Sequence, residues 1–580
     1  MWILRTALRA SRRFPVYKVI LPASSRLKAM TEKKAYHGFS RKKQKVESKP
    51  IKDGSNEVVL LNDVRHLLAT QETNREDVQP APCSPPDRFS EIEVQITDLS
   101  STGDGLGLSS TLDHVYVVPF TAPGDVVLAK VVACFAKDQY TITDFVKVVE
   151  PSPKRDDSLV RCPYFGTCSG CQFQMLSYEN QLMRKKKIIE KAFKNFSGLA
   201  PELVPSVGET IGSPLQYGYR TKLTPHFDGP PGSHSRKERR NGAERKGFQE
   251  VPPIGFMMKG TRRTVDIEDC PIGTDAVRKG MQSERKRVAE ELSKYRRGAT
   301  LLLRESTTRT PREPSSRPEP SISHVLENQT QGAQVDGDSK IPRDAENGNP
   351  LEGAAHGDVL PYDEAKICIT DSNATSTEYV DDYVFFNTAG AFFQNNNSIL
   401  PRFTAYIREH ILPPAPSTEE KPIKYLIDAY SGSGLFTVTL SSMFSSSTGI
   451  DISPLSIASA NQNAKANNIS NAKFMAADAA ALFKEVTYPP DETAVVIDPP
   501  RKGCDDPFLQ QLLSYRPRRI VYVSCNVHTQ ARDIGVLAEG TGGCRYEMES
   551  LRGFDFFPQT GHVEGVAILN RSEPSPAVAS

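Results

Sequence analysis

Cys525 follows the apolar run "IVYVS" (520–524) and is itself followed by Asn526 and a polar stretch that looks like a helix start. A cysteine there is ordinarily a small hydrophobe, yet the end of a buried strand is also where an α/β sheet presents reactive groups. A thiolate at such an edge can add to an electron-poor ring carbon. Addition at C6 of a uracil makes C5 nucleophilic enough to take a methyl group from a sulfonium. A base must then remove the C5 proton so that the sulfur can leave. In "QTGHVEGVAIL" the candidate base is Glu564, at the start of an apolar strand, with His562 close by.

A methyl donor needs a pocket, and "LIDAYSGSGLFTV" has the composition of one. A strand ends in Asp428; Tyr430, Gly432, Gly434 and Phe436 follow. The two glycines allow a sharp turn with a ligand close to the backbone. Asp451 closes the next strand, where a carboxylate can accept both hydroxyls of a ribose. Asp478 in "AADA" can reach an adenine amine or cap a helix. No Gly-Lys-Ser/Thr grips phosphates, and the spacing resembles S-adenosylmethionine-dependent methyltransferases more than NAD enzymes. In "VVIDPPRKG" two prolines hold a rigid loop after Asp498. The acid can orient a planar, amide-like base while Arg501 and Lys502 meet a phosphate.

Ten cysteines in so long a chain argue against a secreted disulfide scaffold and for reduced thiols, metal or catalysis. Cys162, Cys168 and Cys171 can bring three thiols to one centre, with Cys270 in "IEDCPIG" as a fourth. Four thiolates suit an iron–sulfur cluster or tetrahedral zinc, and spacing does not separate the two.

These residues need a frame. A chain of 580 residues exceeds one core and implies roughly two to four domains. A hydrophobic fraction of 38% with 43 prolines and 38 glycines points to long loops or disorder. No apolar run has the length of a membrane span, so no membrane is expected. The net charge of +2 hides basic clusters at 41–45 ("RKKQK") and 235–246, so any nucleic-acid contact must come from local patches.

Residues 1–88 lack periodicity and read as a disordered basic region. The first 31 carry seven Arg or Lys and no acid, the composition of a mitochondrial presequence or of a disordered basic arm. The "RKKQK" run is a nuclear signal or a solvated linker. The compartment is therefore mitochondrial, nuclear-cytoplasmic or both. Residues 89–151 alternate apolar and polar between turns, which predicts a small β-barrel. Residues 152–385 form a central α+β domain with the cysteine cluster, a basic helix containing "MRKKK", and a disordered insertion at about 305–360. In 386–580 near-continuous apolar strands alternate with helices, the pattern of a Rossmann-like, doubly wound sheet. Its ligands belong at strand ends, where Asp428, Asp451, Asp498 and Cys525 all lie.

"DAYSGSGLF", "DPPRKG", "VSCN" and "HVE" stand in the order and rough spacing of the RNA 5-methyluridine methyltransferase family, and the chain resembles that family, in particular its fungal tRNA (uracil-5-) branch, over about 90–570. The resemblance implies a TRAM-type OB barrel, a central domain and a C-terminal S-adenosylmethionine-dependent methyltransferase domain. It makes Cys525 the nucleophile and Glu564 the base, and it puts Gln394 of "FFQNN", Tyr430, Asp451 and Asp498 around the cofactor, with Asp498 also near the uracil. Part of the family carries a four-iron (4Fe-4S) cluster on this cysteine pattern, which favours iron. The implied substrate is uridine 54 of the tRNA T-loop, with a ribosomal RNA uridine as the alternative; no obligatory protein partner is inferred from the sequence, and a monomer is expected. The barrel, Arg220, Lys222, the Arg236–Arg245 loop and "MRKKK" would grip RNA while an aromatic receives a flipped base.

Two positions depart from the family pattern: Val527 replaces the usual proline after "SCN", and Gly561 stands where a histidine is frequent. A rival reading, an RNA-binding or tRNA-folding protein with an inactive methyltransferase domain, conflicts with the presence of nucleophile, base and cofactor acids. A radical methylthiotransferase would need a Cys-x3-Cys-x2-Cys loop, and DNA cytosine methylation a Pro-Cys context; neither is present.

Overall fold

The computed structural model describes residues 54–72, 86–109, 113–230, 247–312, 362–414, 421–477, 483 and 486–572. The basic arm with its two targeting readings, the Arg236–Arg245 loop, most of the expected insertion and Asp478 lie outside the described residues.

Strands Glu91–Leu99, Gly105–Leu108, Val115–Val118, Tyr140–Glu150 and Val126–Phe135 close a five-stranded barrel in that spatial order. Val94, Ile96, Val118, Val127 and Ala129 point inward from alternate positions and fill its interior. One expectation fails just before it. Asn56–Glu72 is a helix where no regular element was expected. Its Val64, Leu67 and Leu68 bury against Leu106, Val115, Val117 and Tyr140 of the barrel. Its stability comes from that tertiary burial, which a reading of local composition underweights.

The central region is built from small antiparallel sheets. Leu303–Pro311 pairs along its length with Tyr362–Ile369, so the expected insertion begins later than residue 305. From residue 305 on, Glu305, Ser306 and Thr307 are polar side chains buried on that strand, where apolar ones are expected. The helix Tyr178–Phe196 carries Ile188, Ile189, Ala192 and Phe193 into the same core as the C-terminal sheet.

That sheet has eight strands in the order Ala472–Ala476, Ser446–Asp451, Tyr425–Ala429, Thr493–Ile497, Arg519–Ser524, Glu564–Ser572, Arg545–Phe554 and Val207–Ile211. Neighbours among the first five are parallel, whereas Glu564–Ser572 runs antiparallel to both of its neighbours. The edge strand Val207–Ile211 comes from the central segment, so that segment completes the sheet. Both faces are covered, which is why the strands read as continuous apolar runs. Among the described residues no helix is long and apolar enough to cross a membrane.

Candidate active site

Strand order alone lines up the chemistry. Asp451, Asp428, Asp498 and Cys525 lie at the carboxyl ends of four adjacent parallel strands. Glu564 is the first residue of the antiparallel fifth, so its amino end lies at the same edge. Four carboxyl groups and one thiol thus share one rim.

At the Asp451 end is a cradle. The Gly432 N–H donates to Asp451 Oδ2 at 3.1 Å and the Ser453 N–H to Oδ1 at 2.7 Å. Gly432 has φ +55°, and a Cβ added there would meet no protein atom. Asp428 Oδ2 accepts from the Thr437 N–H at 2.9 Å and from its hydroxyl at 2.6 Å, while Asp428 Oδ1 and the Ser431 hydroxyl are buried with no partner. Buried polar atoms without partners beside an open glycine turn fit a polar guest such as S-adenosylmethionine. Burial pushes the Asp428 carboxyl up to about 7, Asp451 adding to the shift. Tyr430, at φ 64°, turns its ring onto Phe508 (5.2 Å between centroids), and burial beside Cys504, Asp505 and Asp533 pushes its hydroxyl up. It borders the cradle through its backbone. Gln394 is buried on a segment anchored by Arg304, which bonds Asn395 Oδ1 at 3.0 Å and pairs with Glu378.

At the other end is the thiol. Burial, then Glu564 and Asp498, push Cys525 up to about 12, and Arg501 opposes them by charge and by a hydrogen bond to the sulfur. Burial, with Asp428 behind it, lifts Asp498 to about 7. Burial and Asp498 raise Glu564 well above the ordinary carboxyl range. His562 is exposed on the loop before Glu564, with its ring 5.9 Å from that of Phe557. Arg501 therefore faces the thiol, a role that the "DPPRKG" motif did not disclose, since its spacing suggested a phosphate contact. The loop that carries it is pinned from the helix Val527–Glu539 and its cap. Arg501 O accepts from Asn526 Nδ2 at 2.9 Å and from Thr529 Oγ1 at 3.3 Å, and Asp533 Oδ2 accepts from the Cys504 N–H at 2.7 Å.

The two departures from the family pattern have structural contexts. Val527 is the first residue of its helix, a position where proline and valine are both acceptable. At Gly561 an added Cβ would lie 3.3 Å from Gly103 Cα and 3.4 Å from Gln172 Oε1, so the barrel turn occupies the space that a side chain would need.

Cys162, Cys168, Cys171 and Cys270 are free thiols that the fold brings into mutual electrostatic range. Burial raises each, and for Cys168, Cys171 and Cys270 neighbouring thiols add to it. Among the described residues no group of three or more His, Cys, Asp or Glu is set for a single metal ion. Arg220, Lys222, Thr224, Phe392, Phe393 and Asn395 line a cavity of about 130 Å³ with Phe392 exposed.

Sheet order, glycine cradle and rim of acids define a doubly wound methyltransferase. A model of the family "tRNA (Uracil-5-)-methyltransferase" matches residues 365–572. The tRNA (uracil(54)-C(5))-methyltransferase of Schizosaccharomyces pombe is 43% identical over 90% of this chain and 85% of its own length. That of Saccharomyces cerevisiae is 38% identical over 91% and 83%. The crystal structure of Pyrococcus abyssi tRNA (uracil-54, C5)-methyltransferase in complex with S-adenosyl-L-homocysteine is 22% identical, covers 82% of this chain and all of its own, and shares the fold at a TM-score of 0.52. The chain belongs to the tRNA (uracil-5-)-methyltransferase family and is a methyltransferase.

Proposed function

We propose that the chain methylates C5 of uridine 54 in tRNA, the position named for its two fungal relatives. The observation that carries this reading is the convergence of the Cys525 thiol, the Arg501 guanidinium and the Asp498 and Glu564 carboxyls at one end of the sheet rim whose other end holds the Gly432 cradle. S-adenosylmethionine, held by Gly432, Gly434, Asp451, Tyr430 and Gln394, supplies a methyl group on a sulfonium.

Cys525 sulfur bonds to C6 of the uracil, and the C5=C6 electron pair moves toward O4. The thiol proton passes to Asp498, which then donates a hydrogen bond to O4. Arg501 stabilises the sulfur anion as it forms. C5 attacks the methyl carbon, and the electrons of the broken bond stay on the departing sulfur of the donor. Glu564 takes the C5 proton, C5=C6 reforms, and the C6–S bond breaks to release Cys525. Because burial holds Cys525 as a thiol, its ionisation is tied to the arrival of the ring.

The five-stranded barrel serves as a TRAM-type RNA-binding module, and Arg220, Lys222 and Phe392 receive the nucleotides around an unstacked uridine. Cys162, Cys168, Cys171 and Cys270 are four free thiols in mutual range that would hold a four-iron cluster with an architectural role once drawn onto a single centre, the cluster offsetting the cost of deprotonating them. Iron and sulfide analysis of anaerobically purified protein tests this; zinc in place of iron rejects it.

The function is tested by nucleoside mass spectrometry on unmodified tRNA incubated with the protein and S-adenosylmethionine. 5-Methyluridine at position 54, absent with Cys525→Ala, supports it. An unmethylated tRNA, or methylation of ribosomal RNA alone, rejects it.

A further inference from the structure

Strand Arg545–Phe554 returns as Glu564–Ser572 through residues 555–563. Hairpin loops that hold their own shape are roughly two to five residues long, and this one is longer. Phe554 pairs with Glu564, so Asp555 and the base stand at the two feet of the loop.

Side chains from other elements set the shape of the loop. Lys185, fully buried on the helix Tyr178–Phe196, pairs with Asp555, which has no exposure either, and donates to Phe557 O at 2.9 Å. Asp555 Oδ1 also accepts from the Phe557 N–H at 3.2 Å. One turn earlier, Gln181 Nε2 donates to Gln559 Oε1 and Gln181 Oε1 accepts from the Gln559 N–H, both at 3.0 Å. The Tyr219 hydroxyl donates to Pro558 O at 3.1 Å, and the Gly561 N–H donates to Gln172 Oε1 at 3.0 Å. The loop is thus wrapped around the Lys185 ammonium. A buried ion pair is a weak source of stability but a directional one.

We propose that Lys185 is a positioning residue for proton removal: by holding loop 555–563 it sets where the Glu564 carboxylate meets C5 of the sulfur-bound ring. This rests on the covalent reading above. Addition of Cys525 and methyl transfer do not need the base, whereas release of the sulfur does. Loss of Lys185 therefore stalls the reaction after methyl transfer, and the methylated, covalently bound RNA–protein species builds up.

The experiment uses the full chain, unmodified tRNA and S-adenosylmethionine, with adduct read on denaturing gels. Glu564→Gln should accumulate adduct; if it does not, the covalent reading and this proposal fall together. Given that control, Lys185→Met/Asp555→Asn, which removes both charges and keeps their shape, should lower kcat at least about tenfold. Adduct should accumulate, with S-adenosylmethionine affinity unchanged. Wild-type turnover, or loss of adduct together with turnover, overturns the proposal. Should the double variant fail to unfold cooperatively, Tyr219→Phe, which deletes only the bond to the Pro558 carbonyl, carries the same test. Partial adduct accumulation supports the proposal, and wild-type kinetics overturn it.

Discussion

Cys525 and Glu564 sit side by side at the sheet edge: Ser524 pairs with Gly565 across antiparallel strands, and one further step of register brings the thiol-bearing residue beside the acid. A nucleophile and a base that act on adjacent ring carbons need this proximity. Cys525→Ala should abolish methylation and covalent capture of RNA bearing 5-fluorouracil while leaving tRNA binding intact in filter assays. Capture by the alanine variant at this site would reject the assignment.

Asp498, raised to about 7, must be ionised to take the thiol proton. kcat/KM should therefore rise with pH through about 7. Asp498→Asn should lower it by about 10²- to 10⁴-fold and remove that inflection. An unchanged pH profile would place the proton elsewhere.

Burial lifts Asp428 from the ordinary 3.8 to about 7. The folded chain holds this proton more tightly than the unfolded one, so the contribution to stability is complete below about 4 and is lost as pH rises through about 7. The Tm of the cofactor-free protein should fall from pH 5 to pH 8, and Asp428→Asn should flatten that fall by an amount on the order of a few kcal/mol. Scanning calorimetry across this range decides.

Gly432 combines φ +55° with open space where a Cβ would project. Gly432→Ala should cost about 1–2 kcal/mol of backbone strain. It should also weaken S-adenosylmethionine binding in calorimetric titrations, because the methyl group enters the cradle. Unaltered affinity would move the cofactor away from this turn.

Gly561 leaves room for Gly103 of the barrel turn and for Gln172. Gly561→His should force these apart and destabilise the protein by about 1–3 kcal/mol, measured by chemical denaturation. A stable variant would show that the barrel turn yields freely.

Legibility varied with how local each signal was. The strand ends bearing Asp428, Asp451 and Asp498 were readable because apolar runs and the glycines after them are short-range features. The helix Asn56–Glu72 was missed although Leu60, Leu61, Val64, Leu67 and Leu68 already carry helical spacing, because its flanks are polar and the partner that buries it lies in the barrel. The part of strand Leu303–Pro311 beyond residue 305 reads as the start of a disordered insertion because its buried residues, Glu305, Ser306 and Thr307, are polar and its pairing partner Tyr362–Ile369 lies some fifty residues away in the chain. Arg501 was assigned to phosphate because the motif names the residue but not the direction of its side chain.

By itself the sequence determined the kinds of groups available, a thiol, acids and glycine turns, and their place at element ends, since alternation and turn chemistry act over a few residues. Only the tertiary structure decided that the antiparallel strand brings Glu564 to the rim shared with Cys525, that Arg501 faces the thiol, and that Lys185 braces the loop before the base. Those relations join residues remote in the chain, and strand order and the packing of helix on sheet create them.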